Sequence, residues 1–197
     1  MIHPHTELRY INDAIGVGVF TTRPIPRGTV VWVRDPLDRE LRPHELDRLP
    51  PGLLERASKY CYRNSHGHHF LCWDHTRYVN HSFTPNCITT PYQLEVAVRD
   101  IAENEQLTND YGTLNITEPF EAFDEGHHRI VVYPDDLEKY HAEWDARLAE
   151  AFPHVGRVDQ PLRFLIDDDT WETCLRIADG AEPMRSILDC YHAPTSP

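Results

Sequence analysis

Arg77-Tyr-Val-Asn-His-Ser-Phe-Thr-Pro-Asn-Cys87 and Val96-Ala-Val-Arg-Asp-Ile-Ala-Glu-Asn-Glu-Gln-Leu-Thr-Asn-Asp-Tyr-Gly112 decide how this chain is read. The first sets Asn80, His81 and Ser82 side by side, and these donors and acceptors suit an adenine edge or a carboxylate. The second continues a strand in which Leu94, Val96 and Val98 share one face. It turns at Glu103-Asn104, where Asn tolerates the left-handed region, and ends at Asp110-Tyr111-Gly112. Towards the N-terminus, Gly16-Val-Gly18 opens a β-prone run through Thr22, and its glycines allow a ligand to approach the backbone closely. Gly-x-Gly alone lacks the third glycine and following helix of a dinucleotide fingerprint. Pro24-Ile-Pro-Arg-Gly28 is a turn. Thr29-Val-Val-Trp-Val-Arg34 is apolar enough to be a strand buried on both faces.

Around these segments the chain changes character twice. Residues 35–70 are an insert between strands, with two short helical turns, 43–50 and 51–58, split at Pro50-Pro51. Inserts of this kind often shape a cleft. After residue 128 the hydrophobic period lengthens. Arg129–Tyr133 is a last strand, and a helix follows from Pro134, with Leu137, Tyr140, Trp144, Leu148 and Phe152 on one face. A second helix runs from Asp169, a candidate N-cap, to Gly180 at its C′ position, and a third is expected over Glu182–Tyr191. This gives a mainly β, α+β domain over 1–118 and an acidic, mostly helical extension over 119–197.

Net charge is −13 over 197 residues. Residues 1–118 hold 12 basic and 15 acidic side chains, whereas residues 119–197 hold 7 and 17. Such a balance argues against wrapping a nucleic-acid backbone and favours a basic protein or peptide partner. No apolar run approaches the roughly 20 residues of a spanning helix, and the first residues lack a signal pattern. Five cysteines without paired spacing read as reduced thiols in a cytoplasmic protein.

Taken in order, the three segments resemble the SET-domain protein lysine methyltransferases, and the length is closest to the small bacterial members. The resemblance covers residues 5–118. It implies a fold of several small β-sheets with a knot-like crossing of the central and closing segments. It also implies S-adenosylmethionine as cofactor, held by Gly16, Val17, Gly18, Asn80, His81 and Tyr111. Asn80 would meet the cofactor's amino-acid end, and His81 the adenine through its backbone. Tyr111 matches the catalytic tyrosine, beside the transferring methyl, and the target lysine would enter a narrow channel from the opposite side. No metal is required. A binding module that keeps the pocket but has lost transfer is the alternative.

Three departures from the family pattern matter. Asn109 stands where an aromatic residue usually helps set the number of methyls. Phe83 replaces a cysteine. Ala122 and Asp124 occupy two positions of a zinc-binding cysteine tail, which leaves Cys87, Asp124 and His127 or His128 as a weak residual set. The helical extension is therefore expected to cover the channel, with Trp144, Phe152, Phe164 and Trp171 as aromatic candidates. His66-Gly-His-His69 reads as a surface loop before a metal site. Cys61 and Cys72, near Asp74 and His75, are weak candidates for a thiol nucleophile.

Overall fold

In a computed structural model, which describes residues 1–193, the chain forms five small sheets and four α-helices. It begins with β1 (Thr6–Asn12) and β2 (Gly16–Thr21), an antiparallel hairpin. The Asn12 side chain accepts from the backbone N–H of Ala14 and Ile15 at 3.0 and 2.9 Å, closing the turn. Next comes β3 (Val30–Val33), buried along its whole length as its sequence demands.

The insert holds β4 (Arg39–Leu41), α1 (Pro43–Leu46), α2 (Pro51–Tyr60), β5 (Cys61–Arg63) and β6 (His69–Leu71). The helices separate at Pro50, as the proline pair predicts, and Pro43 sits in the first turn of α1. The strands of the β4-β6-β5 sheet are three residues each, too short to leave a periodic signal.

Then follow β7 (Asn80–His81), β8 (Cys87–Thr89), β9 (Leu94–Ala97) and β10 (Thr108–Asn109). β9 lies between β3 and β8, so both its edges are paired, and apolar clusters cover its two faces, which leaves all four of its residues buried. Leu94, Val96 and Val98 point to one side, as expected; Ala97 belongs to the apolar cluster on the other. β7 and β10 pair in parallel, Asn80 with Thr108 and His81 with Asn109, which lays the central and closing segments side by side.

The remainder comprises β11 (Phe120–Glu121), β12 (Val131–Val132), α3 (Asp136–Ala151) and α4 (Asp168–Ala178). Phe120 pairs with Val132, so the expected last strand is shorter than Arg129–Tyr133. Asp167, not Asp169, caps α4, accepting from Thr170 N at 2.9 Å. Three consecutive aspartates compete for that role, and the first one wins. The third expected helix does not form over Glu182–Tyr191; only Ile187–Cys190 makes a 3₁₀ turn. There Asp145 of α3 captures Ser186 Oγ at 2.5 Å and Ile187 N at 2.8 Å, which fixes the backbone in a docked turn.

The main core is shared. Val30, Val33, Ile88, Leu94, Val96 and Val98 of the sheet pack with Leu137, Trp144, Leu148, Phe152, Leu162, Ile177 and Ile187 of the extension. At the outer edge of β3, Gln160 Oε1 accepts from Val30 N and its Nε2 donates to Gly28 O, both at 2.9 Å. Residues Ile2 and His3 occupy the rest of that edge, Ile2 bridging Trp32 and His3 N donating to Val31 O at 2.8 Å. Gly28 has φ +86°, and a Cβ there would lie 2.5 Å from His154 Cβ. Gly28→Ala should therefore lower unfolding free energy by about 2–3 kcal/mol in urea titration, combining left-handed strain with overpacking. An unchanged midpoint would show that this junction is loose.

Candidate active site

The three segments singled out in the sequence meet. A Cβ on Gly18 would fall 2.8 Å from Asn80 Nδ2 and 3.0 Å from Gln106 Nε2, so any side chain there would have to displace those two amides. Gly16 has φ +85°, with nothing within 4 Å of where its Cβ would stand. Asn80 Nδ2 donates to Val17 O at 3.2 Å. Tyr111 N donates to His81 Nδ1 at 3.1 Å, and the Tyr111 hydroxyl donates to Val79 O at 3.0 Å. Gly16, Val17, Gly18, Asn80, His81 and Tyr111 thus belong to one connected cluster.

Its electrostatics follow from burial. The His81 side chain is 4% exposed. Desolvation pushes the imidazole down to about 4, against the pull of the Glu125 charge, so the ring is neutral near pH 7. With Nδ1 accepting, the proton sits on Nε2, which is buried and has no partner among the described residues. Burial pushes the Tyr111 phenol up to about 12, so it keeps its proton. Its ring lies 5.3 Å from His81 and 5.1 Å from Phe120.

The extension closes over this cluster through residues that carried no signal in the sequence. Phe120 packs on both Tyr111 and His81. Glu125 accepts from Ser82 Oγ at 2.8 Å and Phe83 N at 3.0 Å. Arg129 donates to Asp110 Oδ2 at 2.6 Å and to Asp136 Oδ2 at 2.5 Å. Its guanidinium carbon stands 4.6, 4.5 and 5.6 Å from the rings of Phe83, Tyr140 and Trp144. Desolvation works against this charge, but the two carboxylates outweigh it and hold Arg129 protonated. Phe83, the residue in the cysteine's place, is an aromatic floor for Arg129 and meets His81 edge-on at 4.3 Å.

The expected aromatic cover is corrected accordingly. Trp144 does reach the site, against Gly112. Phe152 is spent in the main core and Trp171 packs at its margin, while Phe164 is 71% exposed. Helix periodicity marks a buried face without saying what lies beneath it.

Asn109 turns into a buried polar network. Its Nδ2 donates to Glu95 Oε1 at 2.8 Å and to Thr89 Oγ1 at 3.1 Å. Cys87 donates its thiol proton to Thr108 O at 3.0 Å inside an apolar cluster, whereas Asp124 is exposed and accepts from Gly126 N. Among the described residues, no three His, Cys, Asp or Glu side chains gather as metal ligands. The His66–His69 stretch is a loop turned about Asn64, whose side chain accepts from His66 N and His68 N, both at 3.0 Å. Burial pushes Cys61 up to about 11 and Cys72 higher still, so neither is an activated nucleophile.

With the geometry in view, comparison with known proteins decides the family. A model of the SET domain matches residues 16–112. The chain carries a SET domain. No curated protein sequence matches it. Among solved structures that match is a Plasmodium falciparum protein described as a candidate histone methyltransferase. It is 16% identical, with a TM-score of 0.41, covering 56% of this chain and 95% of that one. That likeness is too distant to add to the SET assignment. Among the described residues no helix is long and apolar enough to cross a membrane.

Two variants probe this SET site. Arg129→Met leaves Asp110 and Asp136 buried without a counter-charge and should cost roughly 3–5 kcal/mol in denaturant unfolding; a loss under about 1 kcal/mol would contradict the role given to the cluster. Burial raises Glu95 from 4.5 to about 7. Its ionisation is thus harder in the folded state, and stability falls as pH rises between those values and stays low above them. Glu95→Gln should gain up to about 3 kcal/mol near pH 8 and nothing near pH 4. A gain that does not vary with pH would contradict this.

Proposed function

We propose that this SET protein is an S-adenosylmethionine-dependent protein-lysine N-methyltransferase. The observation that carries the reading is that adjacent Asn80 and His81 bond Val17 and Tyr111 respectively, which joins three separated segments of the SET match. The residues fit the cofactor. Gly16 leaves open space beside its strand, Gly18 brings the backbone flush with Asn80, and His81 keeps a buried donor without a partner. Gly16, Val17, Gly18, Asn80, His81 and Tyr111 would hold the cofactor. When bound, it supplies an electrophilic methyl on a positively charged sulfur.

This chain's own residues do the rest. Tyr111 stays a neutral phenol, and its proton is committed to Val79 O. Its oxygen therefore remains an acceptor, and with nearby carbonyls it offers fixed dipoles to a partly positive carbon without reorganisation. Alignment of amine and methyl supplies much of the rate. A lysine ammonium must first lose a proton, which costs about 4 kcal/mol near pH 7.4 for a free side chain. Desolvation in a closed site lowers that cost. The acidic surplus of residues 119–197 supports a basic protein or peptide as substrate. Five free cysteines support a reducing compartment such as the cytoplasm.

A SET-fold binding module without transfer is the second reading, favoured by Asn109 in place of an aromatic residue. Calorimetry with S-adenosylmethionine tests the first step, and absence of binding removes the transferase reading. Labelled cofactor with a mixed lysate separates the two readings, since label on protein lysines excludes a binding module. Tyr111→Phe should retain cofactor affinity within about threefold and lose at least about tenfold in turnover. Unchanged turnover would overturn the role of Tyr111.

A further inference from the structure

Among the described residues, four of the thirteen large apolar side chains left exposed lie between positions 120 and 133. They are Phe120 at 39%, Phe123 at 62%, Ile130 at 59% and Tyr133 at 47%, and no other stretch of that length holds as many. One hairpin carries them. Phe120 pairs with Val132 and Glu121 with Val131, and Ala122 N donates to Ile130 O at 3.1 Å. Strand alternation puts Phe120, Ile130 and Val132 on one face. Val132 is fully buried, and Phe120 lies against the rings of Tyr111 and His81, at 5.1 and 5.7 Å between centroids. Ile130 is open to solvent, so a single apolar face runs from the core, past Tyr111, to free surface.

The charge around this face has one sign. Glu118, Glu121, Asp124 and Glu125 are exposed, and none of them forms a salt bridge among the described residues. The only arginine or lysine between positions 118 and 138 is Arg129, which is buried and already held by Asp110 and Asp136. Desolvation, with His128 and Arg129 close by, keeps His127 below the usual imidazole range, so it adds no charge near neutral pH. A single exposed apolar side chain is ordinary, whereas a cluster rimmed by polar groups marks an interaction surface. Here the rim selects the partner. A nucleic acid or an acidic protein would bring its charge against four unpaired carboxylates, and a second copy of this chain carries a net −13 of its own. A basic segment with an apolar side chain matches both features.

We propose that the face of Phe120 and Ile130, rimmed by Glu118, Glu121, Asp124 and Glu125, docks the protein substrate and selects segments in which a bulky apolar residue and a cation flank the target lysine. This rests on the transferase reading. Phe120 touches Tyr111 with one part of its ring and solvent with another, so it joins the docking face to the site directly. An apolar side chain seated on Ile130 thus keeps the neighbouring residues of its own segment, spaced about 3.3 Å apart when extended, within reach of Tyr111. Removal of that side chain and of Ile130 from water supplies the affinity. The carboxylates supply orientation and speed of encounter, and they reject acidic segments.

The test is fluorescence anisotropy of labelled peptides with the full chain. The probe is Ala-Arg-Leu-Lys-Leu-Arg-Ala; one companion carries serine for both leucines, and another carries glutamate for both arginines. The probe is expected to bind at least about fivefold more tightly than either companion. Ile130→Ser should abolish the preference for leucine, and the double variant Glu118→Lys, Glu121→Lys the preference for arginine. Phe164→Ser, at an equally exposed aromatic residue elsewhere in the extension, should change neither. Ile130→Thr repeats the first variant should the serine form fail to fold. Equal affinity for the three peptides, or preferences that survive both hairpin variants, overturns the proposal. So does a dimer in sedimentation that Ile130→Ser dissolves, since that assigns the face to a second copy. Where transfer is measurable, Ile130→Ser should raise KM for the probe at least about fivefold and leave kcat within about twofold; a fall in kcat at unchanged KM would count against docking. The anisotropy needs no cofactor. Failure to bind S-adenosylmethionine is therefore a separate result, which removes the transferase reading and with it the substrate role of the face, whatever the peptides show.

Discussion

The guanidinium of Arg129 is the constraint on which the site depends. It lies between Asp110, next to Tyr111, and Asp136, at the start of α3. Burying three charges is costly, and a hydrophobic cluster of equal volume would often be as stable. What the charges provide is direction. The planar fork reaches both carboxylates while its guanidinium rests on Phe83 and Tyr140, which ties residues 119–136 to the closing segment. Asp110 is held in turn, and through it the N–H of Gly112, which its Oδ1 accepts at 2.9 Å. The geometry of Tyr111 is therefore fixed from both ends, by His81 within the SET domain and by the extension outside it.

The extension is not an appendage. Its helices complete the core of the β3-β9-β8 sheet, so the strand that carries Glu95 is sandwiched between them and the cluster around Val19, Ile25 and Leu107. The two faces of β9 do different work. Leu94 and Val96 supply apolar burial to the helices, while Glu95 turns its carboxyl to Thr89 and Asn109. Period-two geometry lets one strand serve both purposes.

Much of this was legible in the sequence. Strands β2, β3 and β9 lie where continuous or alternating apolar character put them, and the split insert follows its proline pair. The motif residues converge because Asn80, His81 and Tyr111 carry hydrogen-bonding chemistry that only a shared site uses. Phe120, Glu125 and Arg129 were not legible as site residues. Nothing in a stretch with no hydrophobic period says that an arginine will meet an aspartate 19 positions earlier. Glu95 was hidden for the opposite reason, since a polar residue in an alternating strand reads as solvent-facing unless a second layer is known to cover that face. The Glu182–Tyr191 segment misleads because its local propensity yields to capture by Asp145.

The side chain of Gln160 on β3 has a further consequence. An outermost strand ordinarily exposes a row of free amides and carbonyls, a template on which another copy can stack. Here one primary amide, donating and accepting at once, together with Ile2 and His3, occupies that row. The most apolar ribbon of the molecule is thereby denied to self-association, by one loop side chain at one end of the row and the first residues of the chain along the rest of it.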